Sequence, residues 1–181
     1  MLDYRGFGLS GGAPKLPDVF WDINAAVHWM SHSGQTKQQA FFILGQSLGA
    51  SLMLYNAAQH VENPYLCGLI SDAAFSRYRR IAAHIARQSW VTWPFHFFLF
   101  WQAYDQYDPV DGVAALPETP ILFFHSKDDQ IIPFSNLDLL VQSHPGYHQR
   151  VVTSGRHTAT FMDAANRQTL LEFMQQQDCS R

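Results

Sequence analysis

Apolar residues fall along this chain in two alternating patterns, short unbroken runs and longer stretches with a helical period. From Asp18 to His32, the residues Phe20, Ile23, Ala26, Val27 and Met30 recur near one helical face, and Gly34 closes the segment. Phe41–Leu44 is a short, fully apolar run that predicts a buried strand, and Leu48–Gln59 reads as the helix after it. Asn63-Pro64 leads into a second strand, Tyr65–Ile70, and residues from Phe75 to about Gln88 read as helical. Ile121–Phe124 is a third apolar strand, and Phe134–Ser143 is a helix after the break at Pro133. Tyr147–Thr153 is a fourth strand, more polar and so nearer an edge, and Thr160–Gln176 is the terminal helix. Strands that alternate with helices and are apolar on both faces predict an α/β fold, a mostly parallel sheet flanked by helices.

Composition narrows this to one domain, because 181 residues with 47% apolar content suffice for a single core. A net charge of -3 with nine histidines counted neutral gives no electrostatic attraction toward nucleic acid. The uncharged aromatic stretch Gln88–Tyr104 is shorter than the ~20 residues a membrane span requires and contains Pro94, so no transmembrane helix is expected there. The start, MLDYRGFG, has no signal-peptide pattern, which makes the cytoplasm the default location unless a targeting segment lies upstream. Cys67 and Cys179 form neither a disulfide framework nor a metal set, and Cys67, inside an apolar run, is expected to be a reduced buried thiol.

The candidate chemistry begins at Gly45-Gln46-Ser47-Leu48-Gly49, which joins the first strand to its helix. A serine on such a strand-to-helix turn exposes its hydroxyl above the sheet, and the next backbone N–H, that of Leu48, is placed to hold an oxyanion. The competing reading makes Ser47 a simple helix cap. A serine nucleophile requires a histidine base and a carboxylate to orient it, both in loops at the carboxyl ends of parallel strands. The third strand runs into His125-Ser126-Lys127-Asp128-Asp129, and the fourth into Ser154-Gly155-Arg156-His157. His157 is the expected base, and Asp129 the expected acid by its spacing to Ile131-Ile132-Pro133. Asp128 is the alternative, with a turn role in which it accepts backbone N–H bonds, and His125 is assigned a structural place. The dinucleotide fingerprint and His-Glu-x-x-His are absent, so no cofactor or metal is expected.

With these loops identified, the chain resembles the α/β-hydrolase superfamily, in particular its serine-aminopeptidase-like and Bem46-like branch. The segment Asp3-Tyr4-Arg5-Gly6-Phe7-Gly8-Leu9-Ser10 is similar to that branch's Asp-Tyr-Arg-Gly segment, Gly45–Gly49 to its nucleophile elbow, His125–Pro133 to its acid loop and Gly155–His157 to its histidine loop. The resemblance implies a triad of Ser47, Asp129 and His157 with no cofactor. It also implies a partial α/β-hydrolase domain over residues 1–181, in which the family's N-terminal strands and second oxyanion loop are missing. Phe41–Leu44 would then lie at an open sheet edge, a surface for self-association or a companion fragment.

Within that domain, residues 75–117 are a candidate lid or substrate-facing insert. Trp90, Trp93, Phe97 and Trp101 either line an acyl pocket or serve ordinary packing, with a partner or membrane-surface patch as a third reading. The expected function is hydrolysis of an ester or related acyl bond in a small acyl substrate, through an acyl-enzyme. The alternatives are an aminopeptidase and a noncatalytic remnant that acts as an interaction module.

Overall fold

The computed structural model describes residues 1–32, 39–60, 63–88, 105–116, 119–177 and 179. In chain order the elements are α1 (Asp18–His32), β1 (Phe41–Gln46), α2 (Leu48–Ala57), β2 (Leu66–Asp72), α3 (Tyr78–Gln88), α4 (Pro109–Ala114), β3 (Ile121–Ser126), α5 (Ser135–Ser143), β4 (His148–Thr153) and α6 (Ala164–Gln176). The four strands form one parallel sheet in the order β1-β2-β3-β4, as the apolar runs predict.

Alternation along the central strands explains why the sheet needs helices on both faces. Leu69, Ile121 and Phe123 point to one side, where Met53 and Leu54 of α2, Val113 of α4 and Leu137 and Leu140 of α5 close over them. Ile70, Leu122 and Phe124 point to the other and meet Phe173 of α6. Helix α1 buries Val19, Phe20, Ile23 and Val27 against Phe41 and Leu52, the face its period marks out. Burying a side chain such as Phe173 contributes about 1.5–3 kcal/mol, so Phe173→Ala, which also opens a cavity, is strongly destabilising.

One expectation is overturned. Cys67 is not a free thiol: it is disulfide-bonded to Cys179, with the two Cα atoms 5.3 Å apart. Helix α6 lies on the same sheet face as Ile70, which brings the end of the chain back to the start of β2. Among the described residues no helix is long and apolar enough to cross a membrane.

Strand β1 forms one edge of the sheet, and Leu44 and Trp29 are exposed beside a groove of about 530 Å³ that also involves Met1 and Leu2. Trp90, Trp93, Phe97 and Trp101 lie outside the described residues, as do 89–104 and 117 of the 75–117 segment as a whole.

Candidate active site

Because the strands are parallel, all four carboxyl ends open on one edge of the sheet, and each contributes a polar group there. β1 leads directly into Ser47, whose φ of 52° and ψ of -121° lie outside the ordinary regions for an L-residue. Two bonds hold this turn: Ser47 N–H donates to the carbonyl of Asp72 at 2.8 Å, and Ser51 N–H donates to the carbonyl of Ser47 at 3.1 Å. The Ser47 side chain makes no capping bond to α2, so the helix-cap reading fails. Ala73 and Thr158, which also have positive φ (53° and 58°), follow Asp72 and His157 directly, so backbone strain collects around this edge.

The two glycines of the elbow are not equivalent. A Cβ on Gly45 would stand 2.6 Å from the backbone N and Cα of Ala50, so only glycine lets strand and helix meet there. A Cβ on Gly49 would meet nothing nearer than Tyr4 Oη, at 3.8 Å. Close packing therefore accounts for the first glycine and leaves the second unexplained.

Ser47, His157 and Asp129 are joined in one line. Ser47 Oγ lies 2.7 Å from His157 Nε2, and His157 Nδ1 lies 2.7 Å from Asp129 Oδ2. A carboxylate acceptor at Nδ1 requires the N–H there, which leaves Nε2 to accept the Ser47 hydroxyl. The other oxygen, Asp129 Oδ1, accepts the N–H groups of Ile131 and Ile132, each at 2.9 Å. Burial alone would push the Asp129 carboxyl up. The bonds from His157, Ile132 and Ile131 outweigh burial and hold its pKa below the usual range.

Asp128 points elsewhere. Its Oδ2 accepts the Gly155 N–H at 3.1 Å, while Ser126 Oγ donates to the Gly155 carbonyl at 2.7 Å, so this pair clamps the histidine loop to the acid loop. His125 is 1% exposed and donates from Nε2 to the Ile132 carbonyl at 2.9 Å. Burial holds its pKa low despite the opposing influence of the Ile132 bond and of Asp129 and Asp72, which suits a neutral ring. Leu48, whose N–H opens α2 next to Ser47, is 44% exposed.

The sequence reading did not single out Asp72 as a site residue. The register sets Gln46 beside Asp72, and Gln46 Nε2 donates to Asp72 Oδ2 at 2.8 Å while Thr160 Oγ1 donates to Asp72 Oδ1 at 2.7 Å. One fully buried carboxylate thus links the residue before Ser47 to a residue three positions after His157. Burial raises its pKa, against the pull of Thr160, Gln46, His125 and His157. The available signal was a charge at the end of an otherwise uncharged buried run, Leu66-Cys67-Gly68-Leu69-Ile70-Ser71-Asp72.

Since the folded pKa of Asp72 lies above the unfolded one, its ionised form weakens the fold as pH rises through the folded pKa. Asp72→Asn removes that charge and can keep both bonds if the Gln46 amide turns over. It is expected to melt no lower than the parent and to lose about tenfold in kcat/KM, since an imidazolium at His157 loses a neighbouring anion. A melting scan and ester kinetics check both halves. A lower melting temperature with unchanged kinetics would reduce Asp72 to a scaffold residue.

A groove of about 220 Å³ opens beside the elbow, lined by Tyr4, Phe7, Pro14, Lys15, Leu16, Val19, Leu48, Gly49, Leu52 and Tyr78. Among the described residues no cluster of His, Cys, Asp or Glu is arranged to hold a metal ion.

Comparison with known proteins agrees with this architecture. The model of the prolyl oligopeptidase family matches residues 17–177. A YfhR protein of Escherichia coli O157:H7, described as uncharacterized, is 26% identical over 164 residues, covering 90% of this chain and 54% of that protein. The chain spans about half the length of the curated relatives it matches. Among solved structures, the esterase Pf2001 of Pyrococcus furiosus superposes with a TM-score of 0.75 at 16% identity, covering 96% of this chain and 67% of that one. Acetyl xylan esterase 1 of Thermoanaerobacterium sp. JW/SL YS485 gives a TM-score of 0.71 at 15% identity, covering 95% and 63%. At such identities these likenesses speak for the fold, that of the α/β-hydrolases.

Proposed function

We propose that this chain, which belongs to the prolyl oligopeptidase family, carries the catalytic apparatus of a serine hydrolase acting on esters or related acyl bonds of small substrates. The observation that supports this most is the pair of 2.7 Å bonds running from Ser47 through His157 to Asp129. As Ser47 Oγ attacks the carbonyl carbon, its proton passes to His157 Nε2, and Asp129 stabilises the imidazolium. The new oxyanion accepts from Leu48 N–H at the positive end of α2. Collapse of the tetrahedral adduct breaks the bond to the leaving group, which takes the proton from Nε2. Water then attacks the acyl-serine with His157 as base, and Ser47 recovers its proton as the acid departs.

An ester is preferred over an amide because its alkoxide leaves more readily, so less is demanded of the oxyanion site. The family match favours a second reading, cleavage at an aminoacyl group, and aminoacyl p-nitroanilides separate the two. The outer edge of β1, with Leu44 and Trp29 exposed, is where a second copy or companion segment would pair.

The test is covalent labelling of the purified chain with an ethyl fluorophosphonate. One adduct per chain, mapped by mass spectrometry to the peptide carrying Ser47 and slowed by prior treatment with a p-nitrophenyl ester, is the expected result. A chain that takes up no label and hydrolyses no ester is a remnant, and the proposal falls.

A further inference from the structure

Gly49, with open space at its Cβ position, lines the groove beside the elbow as well as the one at β1, and the former is the one that also takes in Leu48. Its floor is formed by the buried side chains of Val19, Leu52 and Tyr78, and its walls by the exposed side chains of Phe7 and Leu48. Leu48 and Gly49 follow Ser47 directly in the chain, so the groove takes in the two residues next to the proposed nucleophile.

Orientation follows from the proton path. His157 must deliver its proton to the departing group, so that group lies on the imidazole side of Ser47. The groove includes Leu48 and Gly49 and no residue of the histidine loop, the lining expected of the acyl side. Among the described residues the leaving-group side is open: Arg156 and Thr158 are exposed, and His157 retains 15% of its side-chain surface.

The wall toward the N-terminus is built rather than loose. Arg5 grips Asp22 of α1 through Nε at 3.0 Å, NH2 at 2.8 Å and its backbone N–H at 2.9 Å, and Ser10 Oγ donates to the Asp3 carbonyl at 2.9 Å. These bonds fix the loop that brings Tyr4, Phe7 and Leu16 over α2.

We propose that this groove binds the acyl chain of the substrate, and that Gly49 lacks a side chain so that a medium-length aliphatic or aryl acyl group can lie across it. This rests on the hydrolase reading above. An apolar cavity of about 150 Å³ accommodates benzene, so the 220 Å³ here corresponds to an acyl group of roughly seven to nine carbons by proportion. The enzyme then selects by acyl length and accepts varied alcohols.

Kinetics with p-nitrophenyl esters from acetate to hexadecanoate provide the test, together with Gly49→Leu. A fully buried methylene corresponds to about fourfold, so an open groove should give about two- to threefold in kcat/KM per methylene up to about octanoate, then a fall. Gly49→Leu adds a side chain to a residue that lines this groove and also the groove at β1, where a Cβ would meet nothing nearer than Tyr4 Oη at 3.8 Å. It should lower the octanoate-to-acetate ratio of kcat/KM by tenfold or more, without lowering the melting temperature, since it removes a helical glycine. A second readout needs no turnover: octanoate should perturb the amide signals of Leu48 and Tyr78 in the parent and not in Gly49→Leu.

A flat chain-length profile on an active, labelled protein, or an unchanged ratio in Gly49→Leu, overturns the groove assignment and leaves the hydrolase reading standing. Absence of both label and hydrolysis removes that reading instead, and octanoate binding that Gly49→Leu abolishes would still support the groove.

Discussion

Ser47→Ala is expected to lower kcat for a p-nitrophenyl ester by about 10³–10⁴-fold while leaving KM within a few-fold, measured against the buffer rate. In a serine hydrolase with a complete oxyanion site, losing the nucleophile costs about 10⁶. Removing one oxyanion donor costs about 10²–10³, so a site served by Leu48 N–H without a second donor would show the smaller fall given above. The fold should not suffer. Ser47 makes no capping bond, and its backbone contacts to Asp72 and Ser51 do not involve the hydroxyl. The φ of 52° remains a strained position for alanine as for serine. Equal rates in parent and variant would show that the hydrolysis comes from surface nucleophiles or a contaminant.

What the sequence revealed and what it hid follow from where hydrophobicity carries information. The three apolar strands were legible because burial on both faces demands unbroken runs, and their parallel order followed from the helices between them. Each nevertheless continues two residues past its predicted end: β1 to Gln46 rather than Leu44, β2 to Asp72 rather than Ile70, and β3 to Ser126 rather than Phe124. The last residue of each, Gln46, Asp72 and Ser126, is polar and hydrogen-bonded at the carboxyl edge of the sheet, so the hydrophobic signal stops where the chemistry starts. Asp72 was hidden for that reason, its partners Gln46 and Thr160 being supplied by register and by a distant loop. Thr160 likewise was read as the start of the terminal helix. The structure puts it in a short 3-10 turn, and α6 begins after Asp163, which caps it by accepting the Ala165 N–H. The Cys67–Cys179 pairing had no readable spacing, because it depends on α6 returning to β2.

The choice between the adjacent acids is the sharpest remaining test, and Asp129→Asn should cost about 10³–10⁴-fold in kcat near neutral pH. The magnitude follows from which way the new amide must face. Ile131 and Ile132 both donate N–H to Oδ1, so the asparagine oxygen has to stay there and its NH2 is forced toward His157 Nδ1. An NH2 donor at that position selects the tautomer with the proton on Nε2, which cannot take the proton of Ser47. Nitrogen chemical shifts of the His157 ring report this exchange directly, independent of rate. Asp128→Asn should stay within about threefold, because Asp128 bonds the Gly155 N–H and not the imidazole. The pH response separates the roles further. The folded pKa of Asp129 is depressed, so its contribution to stability is complete above the unfolded value of about 4 and is lost as pH falls through the folded value. Activity that declines at higher pH than this therefore does not report loss of the Asp129 carboxylate. If Asp128→Asn abolished hydrolysis while Asp129→Asn retained it, the hydrogen bonds described here would belong to a resting arrangement and not to the working one.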